Sequence, residues 1–179
     1  MENLDLVETL FSRVFGKRAL EAQSPFGMKR MTAEEFPEQY EATTTAKAAP
    51  VTGDSEEVAL FRPLLAQTQL ERVPLRLAYS ADQHGWTAAA FHERVDTFGA
   101  AVVLARTEGG AICGGYNNRG WIGLGEDRNS IAAFLFTWPD GDASTQPIKL
   151  PKVGGASLAV LDKPDTGPWF GADSLAHFF

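Results

Sequence analysis

The apolar residues of this chain change their spacing near residue 75, and that change most limits what it can fold into. Residues 100–107 are apolar and rich in β-branched side chains, Glu108-Gly109-Gly110 supplies the positive backbone angles of a tight turn, and residues 111–116 return. Together they read as a β-hairpin. Residues 131–138 are almost wholly apolar, which predicts a central strand covered on both faces. Leu75, Leu77 and Tyr79 alternate with Arg76, Ala78 and Ser80 as in a half-buried strand, and Ile148 with Leu150, then Leu158 with Val160, offer two more.

Before residue 75 the spacing is helical. Leu4, Val7, Leu10, Phe11, Val14 and Phe15 form an apolar stripe opposite Asp5, Glu8, Ser12 and Arg13, an amphipathic helix whose mixed-sign polar face suits packing on protein better than on a membrane. Thr32 and Glu35 have the spacing of a capping box, Pro37 limits the helix they start, and residues 43–50 read as a connector. The boundary is placed here, with 1–53 as helix and connector and 54–179 as the domain. Asp54 is expected to cap a helix with Glu57 as reciprocal partner and Val58, Phe61, Leu64 and Leu65 on one face, broken at Pro63. Residues 81–85 read as a loop and residues 86–95 as a helix, with Thr87 as N-cap and Phe91 and Val95 one turn apart.

Composition enters mainly as an exclusion. A chain of 179 residues, 44% hydrophobic and 22% charged, is long enough for one good-sized core. A formal charge of -7, with no dense run of Lys and Arg, disfavours nucleic acid and anionic lipid as partners. Cys113 is the single cysteine, so no internal disulfide and no CxxC zinc motif can form, which suits a reducing, intracellular compartment, the cytoplasm foremost. No apolar run approaches the ~18 residues of a membrane span.

Leu75-Arg76-Leu77-Ala78-Tyr79-Ser80, then His84-Gly85-Trp86 and Phe91-His92, resemble the opening of a TLDc domain. Gly114-Gly115-Tyr116 with Trp121, Ala133-Phe134-Leu135-Phe136, Ile148-Lys149-Leu150 and Gly167-Pro168-Trp169-Phe170-Gly171 follow in the family's order. The resemblance covers roughly residues 55–171 and implies an α+β fold: an antiparallel β-sandwich flanked by helices, here with an N-terminal helical extension. Pro25-Phe26-Gly27-Met28-Lys29-Arg30 and Glu35-Phe36-Pro37-Glu38-Gln39-Tyr40 look like the lead-in of plant and green-algal members, some of which carry EF-hand-like helices upstream. No twelve-residue calcium loop occurs here. Family members run on into further strands, so residues 54–179 are expected to lack the family's last ones and to leave a sheet edge for pairing with another chain, with Leu175, Phe178 and Phe179 adding exposed apolar surface.

Catalytic motifs are weak. His84, His92, Glu93 and Asp96 are tempting, but a helical zinc site wants H-E-x-x-H and the fourth residue after His92 is Asp96; His84 is expected in a turn and His92 with Glu93 on a solvated face. The glycines at 109–110, 114–115, 120, 123 and 125 fit no phosphate-binding pattern, and Gly114-Gly115 inside a strand marks a bulge or a close approach of backbones. Cys113 is the redox candidate, although a sensor thiol is exposed beside cations and this one sits between Ile112 and Gly114, where burial is expected. No G-x-S-x-G occurs. Neither a metal nor a cofactor is called for.

The resemblance implies a protein-binding domain linked to oxidative-stress protection, with the peripheral sector of the vacuolar-type proton ATPase as the family's best-known partner. The surface candidates are Ser80, Asp82, Gln83 and His84 in a first loop and Asn117, Asn118, Arg119 and Trp121 in a second. A structural subunit of a larger complex is the alternative, and a weak redox enzyme using Cys113 a second.

Overall fold

The computed structural model describes residues 47–153, 155–171 and 176–177. The expected helix over residues 4–15, the capping box at Thr32 and Glu35, and the residues at 175, 178 and 179 lie outside these. The described chain is α+β. One antiparallel sheet has the order β1 (Ala101–Arg106), β2 (Ile112–Asn117), β4 (Phe134–Trp138), β5 (Ile148–Pro151); the other has β3 (Glu126–Arg128), β6 (Val160–Asp162), β7 (Trp169–Phe170), β8 (Ala176–His177). The helices are α1 (Glu56–Phe61), continued by a 3-10 turn over Arg62–Leu65, α2 (Ala81–His84) and α3 (Ala88–Val95).

The first sheet is buried on both faces, which is why its central strands read as continuous apolar runs. Ile112, Tyr116, Phe134, Phe136 and Trp138 point to a core closed by Phe61, Leu65 and Leu70 from the α1 side. Ala101, Val103 and Leu135 point the other way, into a second core shared with Phe91 and Val95 of α3 and with Val160 and Phe170 of the second sheet. Gly114 and Gly115 sit where the two cores press on β2. The β1–β2 ladder pairs continuously from Ala101↔Asn117 to Arg106↔Ile112, so the glycine pair marks close approach and not a bulge. A Cβ on Gly115 would stand 2.6 Å from the Phe170 ring, and one on Gly114 would overlap the Val103 carbonyl and the Phe136 ring.

The hairpin stands as read, with Gly110 supplying the positive φ of the turn at +89°. Five other elements differ from expectation; in the last expected strand only Val160 belongs to β6, Leu158 being exposed at φ +56° in the turn before it. Ser55, not Asp54, caps α1, its side chain accepting from the Val58 amide at 3.3 Å. Asp54 is drawn off by Arg62, a guanidinium only 1% exposed, which donates from Nε to Asp54 Oδ2 at 2.8 Å and pairs with Oδ1 as well. The Arg62 hydrogen bonds hold the Asp54 carboxyl below its ordinary range. Residues 75–79 form no ladder: Leu75 packs in the first core, Ala78 and Tyr79 in the second, and Leu77 is exposed between them. The expected alternation is not realised in burial, since Arg76 and Leu77 are both exposed and Ala78 and Tyr79 both half-buried: the segment is a strap whose start serves one core and whose end serves the other.

The strand expected over residues 131–138 starts only at Phe134. Ser130 Oγ accepts from the amides of Ala132 and Ala133, both at 2.9 Å, and this side-chain turn bends the chain and leaves Ile131 exposed. The loop expected at residues 81–85 contains the single-turn helix α2, ended by Gly85 at φ +96°. Pro63 does break α1, converting its last turn to 3-10, and Thr87 does cap α3, accepting from the Ala90 amide at 3.2 Å. No helix among the described residues is long and apolar enough to cross a membrane.

Candidate partner-binding surface

The strap and α2 form the first half of the surface. Ser80 donates its amide to His84 Nδ1 at 3.0 Å, so Nδ1 is the acceptor and the ring's other nitrogen is left to carry the proton. Tyr79 Oη donates to the Gly85 carbonyl at 2.5 Å, closing the turn from the other end. Asp82 and Gln83 are exposed at its tip, while Ser80 and His84 are half-buried.

Beside it runs an open groove of about 500 Å³, lined by Arg76, Leu77, Gln83, His84, Arg94 and Phe98, among others. Its apolar members are unusually open to water: Leu77 is 74% exposed and Phe98 59%. The Arg76 guanidinium lies 4.7 Å above the Phe98 ring, a cation–π contact that keeps a charge at the rim without covering the whole ring.

The second loop abuts the turn that carries Phe98. Gly120, at φ +69°, lies so close to the Gly99 backbone that a Cβ would overlap the Gly99 carbonyl, and Thr97 donates its amide to the Trp121 carbonyl at 2.9 Å. Asn117 is fully buried and staples this loop, accepting from the amides of Arg119 at 2.9 Å and Gly120 at 3.1 Å and donating to the Gly120 carbonyl at 3.0 Å. Asn118 is half-buried; its Oδ1 accepts from Ser130 Oγ at 2.5 Å. Arg119 is exposed.

Trp121 is 1% exposed, edge-on to Phe91 at 5.3 Å and to Phe170 at 6.1 Å. Asn117 and Trp121 therefore cannot meet a partner directly, and the expectation of exposure fails for both. The reason is physical: Asn117 satisfies a turn's amides from inside, and Trp121 follows a left-handed glycine that turns its ring into the second core. The exposure of Leu77 and Phe98 has no counterpart in the sequence reading, because an exposed apolar side chain leaves no local pattern in a sequence.

His92 was expected on a solvated face, yet it is 8% exposed, whereas Glu93 is exposed. Its Nδ1 lies 2.7 Å from Asp96 Oδ1 and its Nε2 3.0 Å from the Thr166 carbonyl. Both neighbours are acceptors, an arrangement that favours the doubly protonated ring. Burial by itself pulls the ring's pKa down, but the Asp96 carboxylate and the Thr166 and Lys163 carbonyls outweigh it, and the net shift is upward.

Asp162, fully buried, completes the cluster, accepting from the amides of Ile122 and Gly123, each at 2.9 Å, and from Arg128 Nε at 3.0 Å. His92, Asp96 and Asp162 bring ligand atoms within 4.8 Å of one another, a spacing a metal could use. In this structure the same atoms are engaged within the protein, His92 Nδ1 with Asp96 and the Asp162 carboxylate with Arg128 and two backbone amides. The arrangement is an ion network joining α3 to the second sheet. Helical spacing could have linked His92 to Asp96; only the tertiary fold brings Asp162.

Cys113 lies in β2, opposite Ala105 and Thr137, and is partly buried. Burial pushes its thiol pKa up, the reverse of what a reactive thiolate needs.

A family model for the TLDc domain matches residues 54–178, well over half of the chain. The chain belongs to the TLDc domain family. No curated protein and no solved structure matches it. Within this TLDc domain, the strap, α2 and α3 carry polar side chains to the groove, Arg76, Gln83, His84, Glu93 and Arg94, and the loop after β2 contributes none of its lining.

Proposed function

We propose that this TLDc domain is a non-catalytic protein-binding module that grips its partner through the groove between the strap and α3. The observation that carries the reading is the exposure of Leu77 and Phe98 beside Arg76 and Arg94. Aromatic and arginine side chains, here Phe98 with Arg76 and Arg94, are enriched in protein-recognition sites. Asp82, Gln83 and His84 supply polar contacts beside them, Asn118 and Arg119 lie on the second loop, and Asn117 and Trp121 hold that loop from beneath. Protection from oxidants is then indirect, exerted through the assembly bound. The family resemblance makes the peripheral sector of the vacuolar-type proton ATPase the partner to test first.

Affinity purification of the intact chain from its native source, with quantification of stoichiometric partners, tests this. Proton-ATPase subunits should be recovered with the wild-type chain and lost with Leu77→Asp/Phe98→Asp, while folding is unchanged. A wild-type chain that returns alone, or a partner retained equally by the variant, overturns the reading.

A further inference from the structure

The groove between the strap and α3 holds two arginines that no carboxylate meets. Elsewhere in the described chain Arg62 is matched by Asp54 and Arg128 by Asp162, whereas Arg76 and Arg94 form no ion pair among the described residues. The groove's lining sets one acidic side chain, Glu93, against these two cations. In a chain of formal charge -7, that is a local excess of positive charge on an acidic protein.

The apolar part of the groove is held open by an unfavourable backbone. Phe98 follows Thr97, a β-branched residue at φ +69°, and precedes Gly99 at φ +83°. A β-branched residue persists in the left-handed region only where its surroundings fix it, here through the Thr97 amide on the Trp121 carbonyl at 2.9 Å. The turn held in this way leaves the Phe98 ring exposed, with the Arg76 guanidinium 4.7 Å above its centre. A guanidinium stacked on a ring keeps its N–H edge free, oriented to take a carboxylate through two parallel hydrogen bonds. Leu77, next to Arg76 in the chain, is the second open apolar side chain of the same groove.

We infer that the partner segment taken by this groove is an acidic peptide, with carboxylates on Arg76 and Arg94 and an apolar side chain against Leu77 and Phe98. The inference rests on the groove reading above and adds to it the charge of the partner. A neutral or basic segment would cover both guanidiniums and leave them unpaired, which weakens binding. Calorimetric titration of the intact chain with short synthetic peptides, in which leucine alternates with glutamate, glutamine or lysine, tests it. The overall charge of the chain by itself favours the lysine peptide and disfavours the glutamate one. The reverse is expected: the glutamate peptide binds about five- to tenfold more tightly than the glutamine peptide, an advantage that fades as salt is raised. Arg76→Gln/Arg94→Gln should erase that advantage, and Arg94→Gln alone, which breaks no ion pair among the described residues, should remove part of it. Equal affinity for the glutamate and glutamine peptides, a preference for lysine, or a glutamate advantage that survives the double variant overturns the inference. Leu77→Ser/Phe98→Ser separates this from the groove reading. If that variant loses the glutamine peptide while wild type shows no preference for glutamate, the groove stands and the acidic partner falls; if every peptide binds the variant as well as wild type, or none binds wild type, both fall.

Discussion

Replacing Gly115 by alanine adds one methyl group where β2 meets the second sheet. That methyl would lie 2.6 to 2.9 Å from three carbons of the Phe170 ring. The ring is 3% exposed and held edge-on by Trp121, so it has nowhere empty to move. Overpacking of this kind costs about 1–3 kcal/mol, which for a domain of this size lowers Tm by roughly 4–12 °C. Phe170→Leu alone removes ring volume and costs about 1–2 kcal/mol, but it opens the space the new methyl needs. The double variant should therefore be more stable than the sum of the single changes by roughly 1–2 kcal/mol. Gly114→Ala provides the contrast, since its methyl would overlap the Val103 carbonyl, a backbone atom fixed in the β1–β2 ladder. It should cost more than Gly115→Ala, and Phe136→Leu should not rescue it. Equilibrium urea unfolding at constant m-value measures all of these. A Gly115→Ala cost below about 0.5 kcal/mol, or the same cost with and without Phe170→Leu, refutes the close-packing account.

Asn117→Ala leaves the buried Gly120 amide and the Arg119 amide without their acceptor, so it should destabilise by about 2–3 kcal/mol and raise hydrogen exchange in residues 118–121. The His92 network gives a pH dependence of known sign. Its pKa is raised on folding, so its contribution is complete below the unfolded pKa and is lost as pH rises through the higher folded value. The gap in urea midpoint between wild type and His92→Gln should therefore narrow from pH 6 toward alkaline pH; a gap that widens contradicts the upward shift. Cys113, with its thiol pKa raised by burial, should react with an aromatic disulfide reagent at least about a hundredfold more slowly in the native chain than in urea, and Cys113→Ser should leave peroxide protection in cells intact.

The legible parts of the fold are those where one local force acts alone. The hairpin could be read because β-branched runs flank a glycine turn, and α3 because Thr87 caps a helix whose Phe91 and Val95 share a face. Asp54 misled because two neighbouring residues can each cap a helix, and only the distant Arg62 decides which is spent elsewhere. Residues 75–79 misled more deeply. Their alternation resembles a strand, yet the two ends of the strap serve different cores, a division set by the path of the chain around the sheet. The same limit hid the groove, since Phe98 and Phe91 are chemically identical and only packing exposes the one and buries the other.

That division into two cores also separates the two surfaces. Ala78 lines the groove beside α2 and packs in the core shared with α3, whereas Leu64 and Trp138 pack in the core shared with α1, where a smaller hollow of about 290 Å³ opens. Between them stands the first sheet, thinned at Gly114 and Gly115 but paired without interruption. Coupling between the faces would have to pass through this ladder, and a close-packed ladder with a single register offers no second arrangement to switch into. Partner capture by Leu77 and Phe98 should then be indifferent to changes on the α1 face, and Lys149→Gln, on that face, should leave partner recovery at its wild-type level.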